Sequence, residues 1–173
     1  MDICAHLQHP SMNQVYLLIG GNIGDRLVNL ENARNSIAAS CGPIRQASSI
    51  YETEAWGLKE QPAFYNQALC IETELSPTVL LDTILQIEVS MGRKRLVPLG
   101  PRNIDIDIIY YAQNSVTLPR LIIPHPRLTE RNFVLAPLAE IAADFEHPIL
   151  KKTNLQLYKA SKDTSVVHKK NQK

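Results

Sequence analysis

The chain has little cysteine, almost no net charge and no long apolar run, and each shortage removes a class of protein. Cys4, Cys41 and Cys70 are its three cysteines, widely separated and forming no C-x-x-C pair. An odd, dispersed set builds neither a disulfide frame nor a zinc site, and fits unpaired thiols in a reducing compartment. A formal net charge of +1 over 173 residues argues against a broad nucleic-acid surface, so the positive charge that matters must be local. No apolar stretch approaches the roughly 18 residues that span a bilayer. The first fourteen residues lack the apolar h-region of a signal peptide. The expectation is a cytoplasmic protein with no membrane, nucleic-acid or obligate protein partner. Walker A and G-x-G-x-x-G motifs are also missing, as are internal repeats and an interdomain linker. What remains, 45% hydrophobic and 20% charged, suits one domain with a good core.

The most informative stretch is Gly92–Tyr110, GRKRLVPLGPRNIDIDIIY. Arg93, Lys94, Arg95 and Arg102 precede Asp105 and Asp107, which alternate with Ile104, Ile106 and Ile108. Period-2 alternation of β-branched residues predicts a strand. Both carboxylates then share one face, and at about 3.3 Å of rise per residue they stand roughly 6.6 Å apart. That span can hold hard cations. Arginine suits bidentate phosphate recognition, so loop and strand together fit a polyphosphate carrying magnesium. The plainer alternative is an edge strand with a solvated polar face.

Around it the chain reads in order. Residues 15–19 form a buried strand entering GGNIGD, a tight connection to a helix carrying Leu27, Leu30, Ile37 and Cys41. Residues 45–53 form a second strand, and a surface loop with Trp56, the only tryptophan, follows. Residues 64–74 form a third strand with Phe64 and Asn66 on one face. That pair is a core aromatic with a strand-end amide, or a stacking surface beside a hydrogen-bonding edge. Ser76-Pro77 starts a helix whose apolar face includes Glu88. A carboxylate there needs a partner, either a nearby arginine or a ligand. After the strand, residues 112–120 form a turn or hairpin, and His125 lies between Pro124 and Pro126 on a rigid, non-helical segment. Thr129 caps a short helix carrying Arg131 and Phe133, and Pro137 begins another helical turn. The lysine-rich residues 151–173 lose periodicity and read as a poorly ordered tail. The predicted layout is an extension over 1–14, a domain over 15–150 and that tail. The order β-α-β-β-α-β is that of the ferredoxin-like α+β sandwich, an antiparallel sheet with helices on one face.

IGGNIGDR (19–26), SSIYETEAWG (48–57), QPAFYNQA (61–68), IEVSMGRKR (87–95), GPRNIDIDII (100–109) and IPHPRLTERNFVLAPLAEIA (123–142) together resemble the 6-hydroxymethyl-7,8-dihydropterin pyrophosphokinase family of folate biosynthesis. The resemblance implies transfer of pyrophosphate from ATP to the pterin's hydroxymethyl oxygen, with release of AMP. It implies that Asp105 and Asp107 hold two Mg2+ ions and act with Arg93 and Arg102 in catalysis. Glu88, Arg93, Arg95, Arg102, Ile108, His125 and Arg131 match ATP-contacting positions. Phe64 and Phe133 look like the rings that sandwich the pterin, with Thr53 and Asn66 at its hydrogen-bonding edge and Trp56 in a lid over it. Many members carry Arg-Trp just before GPR where this chain has Pro98-Leu99, which implies a different closure over ATP. Two alternatives stand beside this reading. Another two-metal phosphoryl or nucleotidyl transferase shares D-x-D and arginines but gives no reason for Phe64, Asn66 and Phe133 to converge. A non-catalytic ferredoxin-like binding module, such as an RNA-recognition domain, requires a K/R-G-F/Y motif and a basic sheet face, which the chain lacks.

Overall fold

Val15, Leu17 and Ile19 are buried on one side of the first strand, and Tyr16 and Leu18 on the other. A strand apolar on both faces belongs inside a covered sheet. In a computed structural model that describes residues 12–55, 60–93 and 100–170, β1 (Asn13–Gly21) lies between β4 (Phe64–Thr73) and β5 (Asp105–Tyr111), antiparallel to both. The sheet runs β5-β1-β4-β3-β8, with β3 over Tyr51–Thr53 and β8 over Val167–Lys169, while β2 (Ile44–Ala47) pairs with β4 off this path. A small hairpin, β6 (Val116–Leu118) with β7 (Leu121–Ile123), stands apart, where residues 112–120 are read as a turn or hairpin.

Helix α1 (Arg26–Ser40) leaves β1 through Asp25, whose carboxylate accepts the Val28 N–H at 3.1 Å. Helix α2 (Pro77–Ser90) follows β4 with Ser76 at the N-cap and Pro77 at its first position. Leu30, Ala33 and Ile37 of α1 and Leu80, Ile84 and Ile87 of α2 share one core with Leu17, Leu69, Ile106 and Ile108. This is the predicted ferredoxin-like α+β sandwich. Its other face is not wholly open. Helices α3 (Asn132–Ile141) and α4 (Asn154–Lys159) cover part of it, packing Val134, Leu135, Leu138 and Leu157 onto Tyr16, Leu18, Ala68 and Tyr110. The end of that face near Gly20, Phe64, Asn66 and Asp105 stays uncovered and becomes a cleft.

Several local readings change. The strand expected over 45–53 is broken at Ser48, because its hydroxyl accepts the Ala68 N–H at 2.9 Å and its carbonyl accepts from Gln67 Nε2. The Ser48 N–H still donates to the Ala68 carbonyl at 2.9 Å, but the added side-chain bonds interrupt the regular ladder and separate β2 from β3. Thr129 sits in a 3₁₀ turn (Leu128–Glu130), and α3 starts at Asn132 with Pro137 inside it. The tail expected to fray is ordered through residue 170: α4 carries a capping box at Thr153, and β8 pairs with β3. Long-range pairing overrides the weak local signal there. No helix among the described residues is long and apolar enough to cross a membrane.

Candidate active site

Two glycines at the end of β1 make room for the cleft. A Cβ at Gly20 would overlap the Asn66 amide, and one at Gly21 would overlap the backbone of Asn103. Close approach, which only glycine permits, lets Asn66 stand between β1 and β3. Asn66 is 4% exposed and its Nδ2 donates to Thr53 Oγ1 at 3.1 Å. Asn22, buried next along the chain, acts as a staple. Its Oδ1 accepts the Arg102 N–H at 2.9 Å, its N–H donates to the Arg102 carbonyl at 2.9 Å, and its Nδ2 reaches Gln61 Oε1 and the Pro62 carbonyl, both at 3.0 Å. The GGNIG turn thus positions both the GPR segment and the 60–62 loop.

β5 is an edge strand of its sheet, yet its polar face is not simply solvated. Asp105 and Asp107 line the cleft with Arg93, Arg102, His125 and Arg131. Asp105 lies between two guanidinium groups, with Arg93 Nη1 2.7 Å from Oδ1 and Arg102 Nε 2.8 Å from Oδ2. Arg93 also pairs with Glu88, whose Oε1 accepts the Ile106 N–H at 2.8 Å. Glu88 lies against the α1/α2 side of β5, so of the two roles left open for it, pairing with an arginine is the one observed. Burial, reinforced by the neighbouring Asp105 charge, pushes the Asp107 carboxyl up to about 7. Burial, aided by Arg131, lowers His125 to about 4. That imidazole is neutral at pH 7. Its Nδ1 accepts the Arg127 N–H at 3.2 Å, which leaves Nε2 as the protonated nitrogen.

The aromatic half adjoins the charged half. Phe64, Asn66 and Thr53 of β4 and β3 line one side of the cleft, and Phe133 and Arg131 at the start of α3 line another. The Arg102 guanidinium carbon is 4.8 Å from the Phe64 ring centre, and that of Arg131 is 5.6 Å from Phe133. Each ring is thus flanked by an arginine of the phosphate-like half.

The cleft therefore gathers Arg93, Arg102, Asp105, Asp107, His125, Arg131, Thr53, Phe64, Asn66 and Phe133 from the expected set. The Ile108 side chain lies in the α1/α2 core, because strand alternation turns it away from Asp107, so only its backbone can meet a ligand. Arg95, Trp56 and the 94–99 loop fall outside the described residues. Gly20 of the GGNIGD turn and Glu54 just ahead of Trp56 also line the cleft, as does Leu18, which was not singled out. Asn22 was missed as well, since its partners are some 40 to 80 positions away. Among the described residues no three His, Cys, Asp or Glu side chains form a metal cluster.

Fold and cleft define a ferredoxin-like α+β protein with an aromatic-and-amide floor beside a wall of alternating arginines and carboxylates. The family model of 7,8-dihydro-6-hydroxymethylpterin-pyrophosphokinase (HPPK) matches residues 16–143, and the chain belongs to that family. It is 42% identical over 149 residues to the 2-amino-4-hydroxy-6-hydroxymethyldihydropteridine pyrophosphokinase of Synechocystis, covering 86% of this chain and 76% of that one. It is 45% identical over 141 residues to the folic acid synthesis protein FOL1 of Dictyostelium discoideum, covering 82% of this chain and 21% of that one. The chain spans about a fifth of the length of the folic acid synthesis proteins it matches. A solved Plasmodium falciparum HPPK-DHPS with pterin and p-hydroxybenzoate shares the fold, with a TM-score of 0.71 at 18% identity, covering 88% of this chain and 43% of that one.

Proposed function

We propose that this chain is an ATP-dependent pyrophosphokinase that transfers pyrophosphate from ATP to the hydroxymethyl group of 6-hydroxymethyl-7,8-dihydropterin in folate biosynthesis. The observation that carries this reading is one cleft holding two kinds of wall. Phe64, Asn66, Thr53 and Phe133 suit a flat, hydrogen-bonding heterocycle, and Arg93, Arg102, Arg131 and His125 suit a polyphosphate. Their adjacency would set the hydroxymethyl oxygen against the β-phosphorus. In-line attack there breaks the bond to the bridging oxygen, and AMP leaves.

Positioning and charge stabilisation supply most of the catalysis in such transfers. Asn66 and Thr53 orient the pterin edge, and the two phenylalanine rings exclude water from its faces. Arg93 and Arg102 stand ready for phosphate charge, already ordered by Asp105. Neutral His125 donates through Nε2 to a phosphate oxygen. The donor set fits magnesium, which takes one or two carboxylates and fills its other positions with phosphate oxygens and water. Burial, with the Asp105 charge added, raises the Asp107 pKa, and a cation held between the two carboxylates would relieve both. Asp105 and Asp107 would hold two ions, which when bound neutralise phosphate charge on the attacking and leaving oxygens.

The test is a coupled assay for AMP with purified protein, ATP, magnesium and the dihydropterin. AMP released only when pterin and magnesium are both present is the expected result. AMP released without pterin, or no pterin binding at all, overturns the assignment.

A further inference from the structure

Helix α3 begins at a residue that does not cap it. Arg131 holds the N-cap position with extended backbone (φ −135°, ψ 106°), and its side chain faces the cleft instead of the helix end. The first N–H groups of a helix need an acceptor, and here one comes from far along the chain. Asp163 Oδ2 accepts the Asn132 N–H at 2.7 Å, and Asn132 Nδ2 donates to the Asp163 carbonyl at 2.7 Å. Asp163 is itself held, with Oδ1 accepting from Ser165 N at 2.9 Å and Ser165 Oγ at 2.6 Å. Against the upward pull of burial, these hydrogen bonds keep its carboxyl below the ordinary value.

The same segment then docks on the opposite wall. Val167 in β8 pairs with Thr53 in β3, and the Lys170 N–H donates to the Ile50 carbonyl at 2.8 Å. Lys169 Nζ lies 3.2 Å from Glu140 near the other end of α3, and Glu140 also accepts from Ser49 Oγ at 2.8 Å and Tyr51 OH at 2.6 Å. Residues 161–170 therefore bind both elements that carry the walls: α3 with Arg131 and Phe133, and β3 with Thr53. The segment lies beyond the 16–143 match.

We propose that residues 161–170 are a strap that sets the separation of the two binding walls, with Asp163 as the positioning residue for Arg131 and Phe133. The proposal rests on reading the cleft as the ATP and pterin site. It differs from a purely stabilising role in which end of α3 matters. Asp163 fixes the end that carries the binding residues, whereas Glu140 fixes the far end.

The experiment compares full-length Asp163→Ala, Asp163→Asn and Glu140→Gln with the wild type. It measures hydrogen exchange at residues 132–136, thermal midpoints, and equilibrium binding of ATP and of the dihydropterin, each alone. Asp163→Ala should speed exchange at those amides and raise both dissociation constants roughly tenfold, the scale of one lost helix cap coupled to binding. Asp163→Asn keeps one of the two acceptor oxygens, and with it turned to the Asn132 N–H should recover part of both. Glu140→Gln should lower the thermal midpoint while leaving both dissociation constants within about twofold of wild type, as for a change away from the site. Unchanged exchange in Asp163→Ala, or binding losses equal to those of Glu140→Gln, overturns the strap. If the wild type binds neither ligand, the functional reading fails, and the exchange data still decide whether Asp163 orders the start of α3.

Discussion

Replacing Gly20 by alanine tests whether the floor of the cleft depends on the close approach of β1 and β4. Gly20 is paired with Asn66 on one side and Asp105 on the other. A Cβ there would overlap Asn66 Oδ1 and come within 3.1 Å of the Tyr65 carbonyl and 3.3 Å of Asn66 Cγ. The amide cannot swing away freely, because it is buried and bonded to Thr53. Overpacking of this kind costs about 1–3 kcal/mol, and alanine recovers about 0.5–1 kcal/mol of strand entropy. The net loss of roughly 1–2 kcal/mol corresponds to a thermal midpoint lower by about 2–8 °C for a chain of this size. Displacing the amide loses one or two hydrogen bonds to the pterin, about 1–3 kcal/mol or roughly 5- to 150-fold in affinity. Calorimetric titration of pterin and ATP separately reads this out. Adding Asn66→Ala to Gly20→Ala should weaken pterin binding little further, since both changes remove the same contacts. Unchanged pterin affinity, or equal losses for ATP and pterin, would refute the reasoning.

Other substitutions probe the charged half and the ring opposite. Arg93→Ala strips a cation from Glu88, whose side chain is only 3% exposed, and should cost about 3–5 kcal/mol in urea unfolding; adding Glu88→Gln should recover part of this, since an amide oxygen still accepts the Ile106 N–H. Asp107→Asn should abolish turnover and, with a chelator present, raise the thermal midpoint above pH 7. The folded carboxyl titrates near 7, above its unfolded value, so its contribution to stability is full below about pH 4 and is lost as pH rises through 7; the gain should vanish near pH 4, and a gain independent of pH would exclude this cause. Phe133→Ala should weaken pterin binding by roughly tenfold or more and ATP binding much less, since a stacked ring carries about 1–3 kcal/mol; equal losses would count against the ring as a pterin wall.

What could be read from the sequence was what local periodicity encodes. The D-I-D alternation placed both carboxylates on one face, and the structure keeps them there with Ile106 and Ile108 in the opposite core. The same periodicity grouped Phe64 with Asn66, but only the family resemblance chose a ligand surface over a core pair. What could not be read depended on distant partners. Ser48 breaks a β-prone run by bonding to residues 67 and 68 on β4. Asn22 looks like an ordinary turn residue until the Arg102 backbone is beside it. The lysine-rich tail has no long apolar stripe, and its order comes from Leu157 of α4 in the core, from pairing with β3 and from single polar contacts at Asp163, Lys169 and Lys170.

The pairing of Asp105 with two arginines bears on why a cleft meant for polyphosphate contains carboxylates at all. Among the described residues, Arg93, Arg102 and Arg131 face Asp105 and Asp107, with Glu88 behind Arg93, so the fixed charges of these residues nearly cancel. A cleft so balanced offers little net attraction to bare ATP, and both aspartates repel its phosphates at short range. Removing magnesium should therefore weaken ATP binding by roughly tenfold or more, a coupling of ordinary allosteric size. Asp105→Asn separates this account from a simple loss of metal. It frees Arg93 and Arg102 from the carboxylate that now holds them at 2.7 and 2.8 Å, so bare ATP in chelator should bind the variant more tightly than the wild type, while turnover is lost. Titration of both proteins with ATP in chelator measures this directly. Weaker binding of bare ATP by Asp105→Asn would mean that the carboxylate orders the arginines more than it competes for them.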